Sequence, residues 1–427
     1  MGIILCWSLT ALFSRVIERS WWSPGALLAL SMWVSAVGTI TMAPEYYMSF
    51  LANLYLIILT LMASYGAALG SRLKLQQGGR VRQVCLELQR PKFLLYFGLL
   101  WSLVSFTATL QVIGVGLSDL LSPIGIMRAA QAATFKRYTS GLSFPIYYNI
   151  SNALFLSYAM AITLHFVARK RIVWSYMTPV MIYVASNMLI TTRAPILFMI
   201  LIMVFSAVYA AYLFSAANRL PAMFSPRVIK YIAIGVLSVA AIFFLFQVLR
   251  FGEHSTRSNA EVWEHLRRWP WGSLPGFSLW FDNASGNIWD RVPGSYTWMG
   301  IFDQLRIEKR VVGGFGDYLF LTPTEAANIY TLFRGLYLDF GWVGSGIFMF
   351  LVGFAGGLSL KTLRMSSPFF AMSIYVAVSG LVCFAFVVSF WAFTANILAL
   401  LIFPFLARKC FVQSRRTPAA ILYRNTA

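Results

Sequence analysis

Apolar runs close to the ~20 residues that a helix needs to cross a hydrocarbon layer recur along the whole of this chain. Pro24–Ala43, Tyr46–Gly70, Phe93 to about Val115, Pro145–Ala168, Ile172–Ile190, Ala194–Ala217 and Tyr231–Leu249 are such runs. A glycine-studded run ending at Lys361, then Pro368–Val387 and Phe390–Ala407, complete the series. Inside a bilayer no water pairs with backbone N–H and C=O groups, so each run must satisfy its own as a helix. At 59% hydrophobic and 11% charged, with mean hydropathy +0.71, the chain is excluded from the ordinary soluble class. Residues 2–14 read as a clipped span or an interfacial helix. The expected fold class is therefore an all-α polytopic integral membrane protein of about 11 transmembrane helices (10–12), with one large outer loop.

The loops fix an orientation. Threading the runs alternately puts 21 of the 34 Lys and Arg on one side with only two of the 14 acids, Glu18 and Glu87. That side carries Arg72–Lys92, Arg169–Arg171, Arg219–Lys230 and the C-terminal Arg408, Lys409, Arg415 and Arg416. Lys and Arg in short loops mark the cytoplasmic face, so the C-terminus is cytoplasmic. The net charge of +20 is thus largely an orientation signal. A nucleic-acid role is excluded, because the basic residues are scattered over loops rather than gathered on one folded face. The start of the chain has neither a basic leader nor an Ala-x-Ala cleavage site, so no signal peptide is expected. Three segments follow: 1–250, transmembrane helices with short loops, including an outer loop of about 29 residues after Val115; 251–327, the large outer loop; and 328–427, further transmembrane helices and a cytoplasmic tail.

One stretch organises the rest: Asn328-Ile-Tyr-Thr-Leu-Phe-Arg-Gly-Leu-Tyr-Leu-Asp-Phe-Gly-Trp-Val-Gly. It starts polar, carries Arg334 and Asp339, and becomes an apolar helix. Gly341 loosens the backbone just after Asp339. Gly346, Gly353 and Gly357, spaced by seven and four, share a helix face, and the last two form a small-xxx-small pair that lets another helix approach. Charges at such a depth are costly and mark a site. The plainer reading is an Arg334–Asp339 ion pair that holds the start of the helix together.

This stretch resembles the C-terminal signature of the bacterial oligosaccharide repeat-unit polymerases, the Wzy-type O-antigen polymerases, whose "N-x-Y-T … D-F-G-x-x-G" pattern follows a large periplasmic loop. Thr191-Thr-Arg-Ala is similar to that family's Arg-bearing turn between two helices. The Arg-x10-Gly pattern of some members is missing here. The resemblance implies a GT-C-like fold in the inner (cytoplasmic) membrane, with an active site facing the periplasm. It implies polymerisation of undecaprenyl-diphosphate-linked repeats, which serve as both donor and acceptor. A chain-length regulator protein and the lipid bilayer are the further partners. The chosen rival is an O-antigen ligase acting on lipid A-core; a lipid-linked oligosaccharide flippase ranks lower, since the spans carry few charges and show no repeat.

Candidate site residues follow from chemistry. Arginines at the outer side suit a diphosphate, because Arg stays charged and binds phosphate oxygens with a planar fork. These are Arg128, Arg193 in its three-residue turn, Arg250, Arg257 and Arg334. The outer loop holds nine of the 14 acids and six of the 14 tryptophans, a mixture that suits sugars. Trp269, Trp271, Trp280, Asp282 and Tyr330 are the candidate sugar contacts, although single tryptophans equally fit the aromatic belt. Trp269-Pro-Trp-Gly-Ser-Leu-Pro-Gly reads as a turn. A base for an acceptor hydroxyl must be a carboxylate or His. Asp339 is favoured by the resemblance and His254 by its ordinary pKa, with Glu253 beside it. No metal ligand set and no cofactor motif are present in the sequence.

Overall fold

The structure, a computed structural model, describes residues 2–73, 85–139, 144–215, 267–268, 270–283, 291–309, 317–328, 330–361 and 368–414, with isolated positions at 220–223, 225, 230, 237, 241, 244 and 315. Most of the Tyr231–Leu249 run, and Arg250, Glu253, His254, Arg257 and Trp269, lie outside these.

The described chain is mostly helical, as the apolar runs require. Among the described residues six helices are long and apolar enough to cross a membrane: α2 (Pro24–Met42), α3 (Phe50–Arg72), α4 (Pro91–Ile113), α6 (Ile146–Arg169), α8 (Ala194–Phe214) and α11 (Leu332–Lys361). Between and around them lie α1 (Gly2–Glu18), α5 (Pro123–Thr139), α7 (Thr178–Leu189), α9 (Ser273–Asn283), α10 (Met299–Gln304), α12 (Pro368–Phe384) and α13 (Thr394–Cys410). Two small antiparallel ladders join β1 (Cys85–Leu88) to β4 (Phe411–Ser414) and β2 (Leu319–Phe320) to β3 (Ala326–Ala327).

Three local expectations are corrected. The outer stretch after Val115 is not all loop: α5 fills most of it. Pro123 sits where a helix tolerates its missing N–H, and the following Ala-rich sequence has high helix propensity without an apolar signal. The Ile172–Ile190 run is not one helix. A 3₁₀ turn, Trp174–Met177, precedes α7, whose start is set by Pro179; α7 has 12 residues, about 18 Å, short of a bilayer's ~30 Å. The stretch read as a turn around Trp271 bends only at Gly272 and then opens α9, with Pro275 in its first turn.

The chain forms two compact units, each discontinuous in sequence: 1–77 with 257–394, and 78–256 with 395–427. In the first, α3 and α11 are in backbone contact. A Cβ on Gly353 would lie 1.9 Å from the Ala63 carbonyl oxygen, and one on Gly66 would lie 2.1 Å from that of Phe350. Gly357 and Gly70 repeat the arrangement one turn on, against Ala67 and Phe354. Both helices therefore contribute a small-xxx-small face, the arrangement that lets helices associate in lipid. Gly346 is not part of it, having nothing within 4 Å of its would-be Cβ. Buried polar pairs add to this unit: Trp7 Nε1 donates to Asn53 Oδ1 (3.0 Å), Ser64 to Ser14 (2.8 Å) and Tyr375 to the Trp22 carbonyl (2.9 Å).

The second unit is built around α6. Phe155 stacks on Tyr183 of α7 at 4.1 Å, Ser105 of α4 donates to Asn152 (2.9 Å), and Ser157 donates to the Ala399 carbonyl of α13 (2.9 Å). The β1–β4 ladder runs from Cys85 opposite Ser414 to Leu88 opposite Phe411.

Candidate functional site

The site grows from the first turns of α11. At 30 residues this helix exceeds what one span needs, and it is broken at Gly341 (φ 66°, ψ −168°), a conformation that suits glycine. The break leaves a short helix, Leu332–Phe340, carrying Arg334 and Asp339. Five positions apart, these two lie about 140° apart around a 3.6-residue helix. They face different partners, and the plainer reading of an Arg334–Asp339 ion pair does not hold.

Arg334 is 7% exposed and sits in an aromatic cage. Its Cζ lies 4.0 Å from the ring centroid of Tyr330, 4.2 Å from Phe315 and 4.9 Å from Trp280. A guanidinium over ring faces is held by their quadrupoles, more strongly when water is excluded. The cage is braced from behind: Phe315 stacks on Tyr296 (5.2 Å) and Trp280 meets Tyr337 edge to face (5.5 Å). Nη2 donates to both oxygens of Asp317, each at 2.9 Å. Nε and Nη1 are buried without a hydrogen-bond acceptor among the described residues. The Asp317 side chain is 48% exposed, so the buried cation has its only charged partner among the described residues on the wet side. Tyr330 donates to the Asp317 carbonyl (3.2 Å), and burial pushes its hydroxyl up to about 12, so it remains a donor near neutral pH.

Asp339 is 1% exposed and fully engaged. It accepts from the Tyr296 N–H (3.1 Å), the Thr297 N–H (2.8 Å) and the Thr297 hydroxyl (2.7 Å). It thereby pins residues 294–298 of the 251–327 segment, which begin at Gly294 with φ 87°. The same loop accepts from Ser389 at the Thr297 carbonyl (2.9 Å) and stacks Trp298 on Trp391. Beside it lies a cavity of about 10 Å³, lined by Tyr296, Phe315, Thr331 and Gly335 among others, which is room for about one water.

The other candidates separate. Trp280 and Tyr330 meet at Arg334. Trp271 is instead packed on α2: a Cβ on Gly38 would lie 2.1 Å from its ring, and its carbonyl accepts from Thr39 (3.0 Å). Asp282 accepts from Tyr47 (2.8 Å) and Ser49 (2.7 Å), fixing the end of α9 to the start of α3. Arg128, exposed on α5, and Arg193, the N-cap residue of α8, belong to the second unit. Arg193 follows a tight turn in which Thr191 is left-handed (φ 50°).

Asp317 and Phe315 are the residues the sequence did not single out. Asp317 was one of nine acids in a 77-residue loop, and no spacing tied it to Arg334. A second cluster was equally hidden: Glu325, in the β2–β3 turn, accepts from Tyr46 (2.7 Å) and pairs with Arg267 (3.5 Å). Chemically, the first unit offers a caged, permanent cation covered by one replaceable carboxylate, with an indole at its side.

Comparison with models of protein families, with curated proteins and with solved structures finds no match to this chain.

Proposed function

We propose that this chain is an inner-membrane glycosyltransferase of about 11 spans and GT-C-like plan that polymerises undecaprenyl-diphosphate-linked oligosaccharide repeats on the periplasmic face. The observation that carries this reading is Arg334, a buried guanidinium that, among the described residues, has two donors unused and one exposed carboxylate as its charged cover. A diphosphate takes the place of Asp317 at Nη2. The acceptor sugar's hydroxyl oxygen then bonds to the anomeric carbon, the bond to the diphosphate breaks, and the hydroxyl proton passes to a base. Preorganised positive charge stabilises the departing diphosphate without a metal. Arg128, Arg193, Arg250 and Arg257 are the further candidate cations for this chemistry. Trp280 receives a sugar ring, while Tyr330, 1% exposed, holds Arg334 and Asp317 in place. Asp339, with its carboxylate engaged by three donors, acts by positioning the outer loop, which leaves His254 or Glu253 as the base.

A strain deleted for this gene tests the reading against the ligase alternative. The expected lipopolysaccharide carries single repeats on lipid A-core. Core wholly without repeats would identify a ligase instead.

A further inference from the structure

The second unit contains a cavity that the proposed reaction does not use. It measures about 200 Å³ and is lined by Leu88, Pro91, His165, Arg169, Arg171, Val173 and Tyr176. Three separate chain segments build it: the end of β1 with the start of α4, the end of α6, and the strand-like link into the 3₁₀ turn before α7. No acidic residue lines it. We infer that this cavity is a binding site for a phosphate group.

The walls are fixed before any ligand arrives. Tyr176 donates from its hydroxyl to the Pro91 carbonyl (3.3 Å), and its own carbonyl accepts from Tyr158 (2.7 Å). His165 meets the Tyr176 ring edge to face at 5.5 Å. Lys170 is left-handed (φ 53°), so the chain reverses between Arg169 and Arg171 and both come to the same cavity. Neither arginine forms an ion pair, and His165 forms no hydrogen bond, among the described residues. His165 is only 5% exposed, so its ring belongs to the cavity wall rather than to the outer surface. Two exposed arginines and a buried imidazole at one small hollow supply the donors that suit the oxygens of a phosphate.

The size also limits the ligand. Pockets for drug-sized molecules run to roughly 300–1,000 Å³, so this one suits a headgroup or a small phosphate ester. Its position at the end of a spanning helix, on the lysine- and arginine-rich side, is where anionic headgroups are met. The Leu88, Pro91 and Val173 side chains give the apolar rim that the first carbons of a glycerol or sugar moiety need. Two sources of the same chemistry exist there, a phospholipid headgroup and a free phosphate ester.

The full-length protein in detergent decides between them. Native mass spectrometry after exposure to phosphatidylglycerol is compared with phosphatidylethanolamine alone, and thermal shift is followed with glycerol phosphate against chloride at equal ionic strength. Retained phosphatidylglycerol without a glycerol phosphate shift identifies a lipid site; a glycerol phosphate shift identifies a soluble ester. In either case Arg169→Gln with Arg171→Gln weakens binding by roughly tenfold or more, as loss of charge-assisted contacts requires. Lys361→Gln, which removes a basic charge outside the cavity, leaves binding unchanged. Arg169→Lys with Arg171→Lys keeps the charge and guards against a folding artefact, retaining part of the affinity. Equal binding by the Gln double variant and the unsubstituted protein, or no binding of either probe by folded protein, overturns the inference.

Discussion

Arg334 donates through Nη2 to both carboxylate oxygens of Asp317, each at 2.9 Å, across 17 residues of chain. The donor is buried under three aromatic rings while the acceptor's side chain is 48% exposed. A buried pair that lost its acid would leave an uncompensated charge. An exposed acid can be exchanged for another anion at smaller cost.

That asymmetry makes the two halves of the pair separable. Arg334→Ala removes the cation and should reduce polymerisation by on the order of 10²–10³, with Arg334→Lys recovering only part because the planar fork is lost. Asp317→Asn should keep binding of a lipid-diphosphate analogue, since it removes the competitor and not the host. Binding by both variants is measured on purified protein. Loss of binding in Asp317→Asn alone would mean that the carboxylate, not the guanidinium, contacts substrate.

Asp339 should behave as an anchor. Asp339→Asn weakens three hydrogen bonds to a buried carboxylate and should cost about 2 kcal/mol or more, read as a lower melting temperature in detergent. Activity per folded molecule should remain. An Asn variant as stable as the unsubstituted protein yet inert would instead assign Asp339 to the proton transfer.

How far the sequence reached is visible at these two residues. Arg334 and Asp339 stand out as charges where an apolar helix begins, and both proved to organise structure. Their partners did not stand out, because contacts across 17 and 42 residues of loop leave no periodicity. The long spans were legible because a bilayer demands length and apolarity together. α5 was not, because an Ala-rich helix without an apolar run has no such demand on it. The Gly353/Gly357 face was legible from its spacing, while its matching face on α3, Gly66 and Gly70, went unread within a generic apolar run.

Those glycines give a sharper test of packing. Gly353→Ala would place a methyl 1.9 Å from the Ala63 carbonyl oxygen, so α3 and α11 must separate. A destabilisation of roughly 1–3 kcal/mol is expected, as for other overpacked interfaces. Gly346→Ala, open on all sides, should be neutral or slightly stabilising through helix propensity. Thermal melting of both variants in detergent checks the contrast; equal melting temperatures would disprove the α3–α11 contact.

Orientation has its own measurement. In a background without native cysteines, Asn283→Cys at the exposed end of α9 should react with a membrane-impermeant thiol reagent in intact cells whose outer membrane admits it. Lys361→Cys at the end of α11 should react only after the inner membrane is opened. The reverse pattern would place the Arg334 cage in the cytoplasm and remove the periplasmic reading.

The central claim is that the first unit's caged arginine serves glycosyl transfer from a lipid diphosphate. Purified protein reconstituted with purified undecaprenyl-diphosphate-linked repeats, without nucleotide or added metal, tests it most directly. A ladder of products differing by one repeat is expected, with released undecaprenyl diphosphate in matching amount and with the ladder absent for Arg334→Ala. Folded protein that yields only the starting single repeat, or an equal ladder from Arg334→Ala, would contradict it.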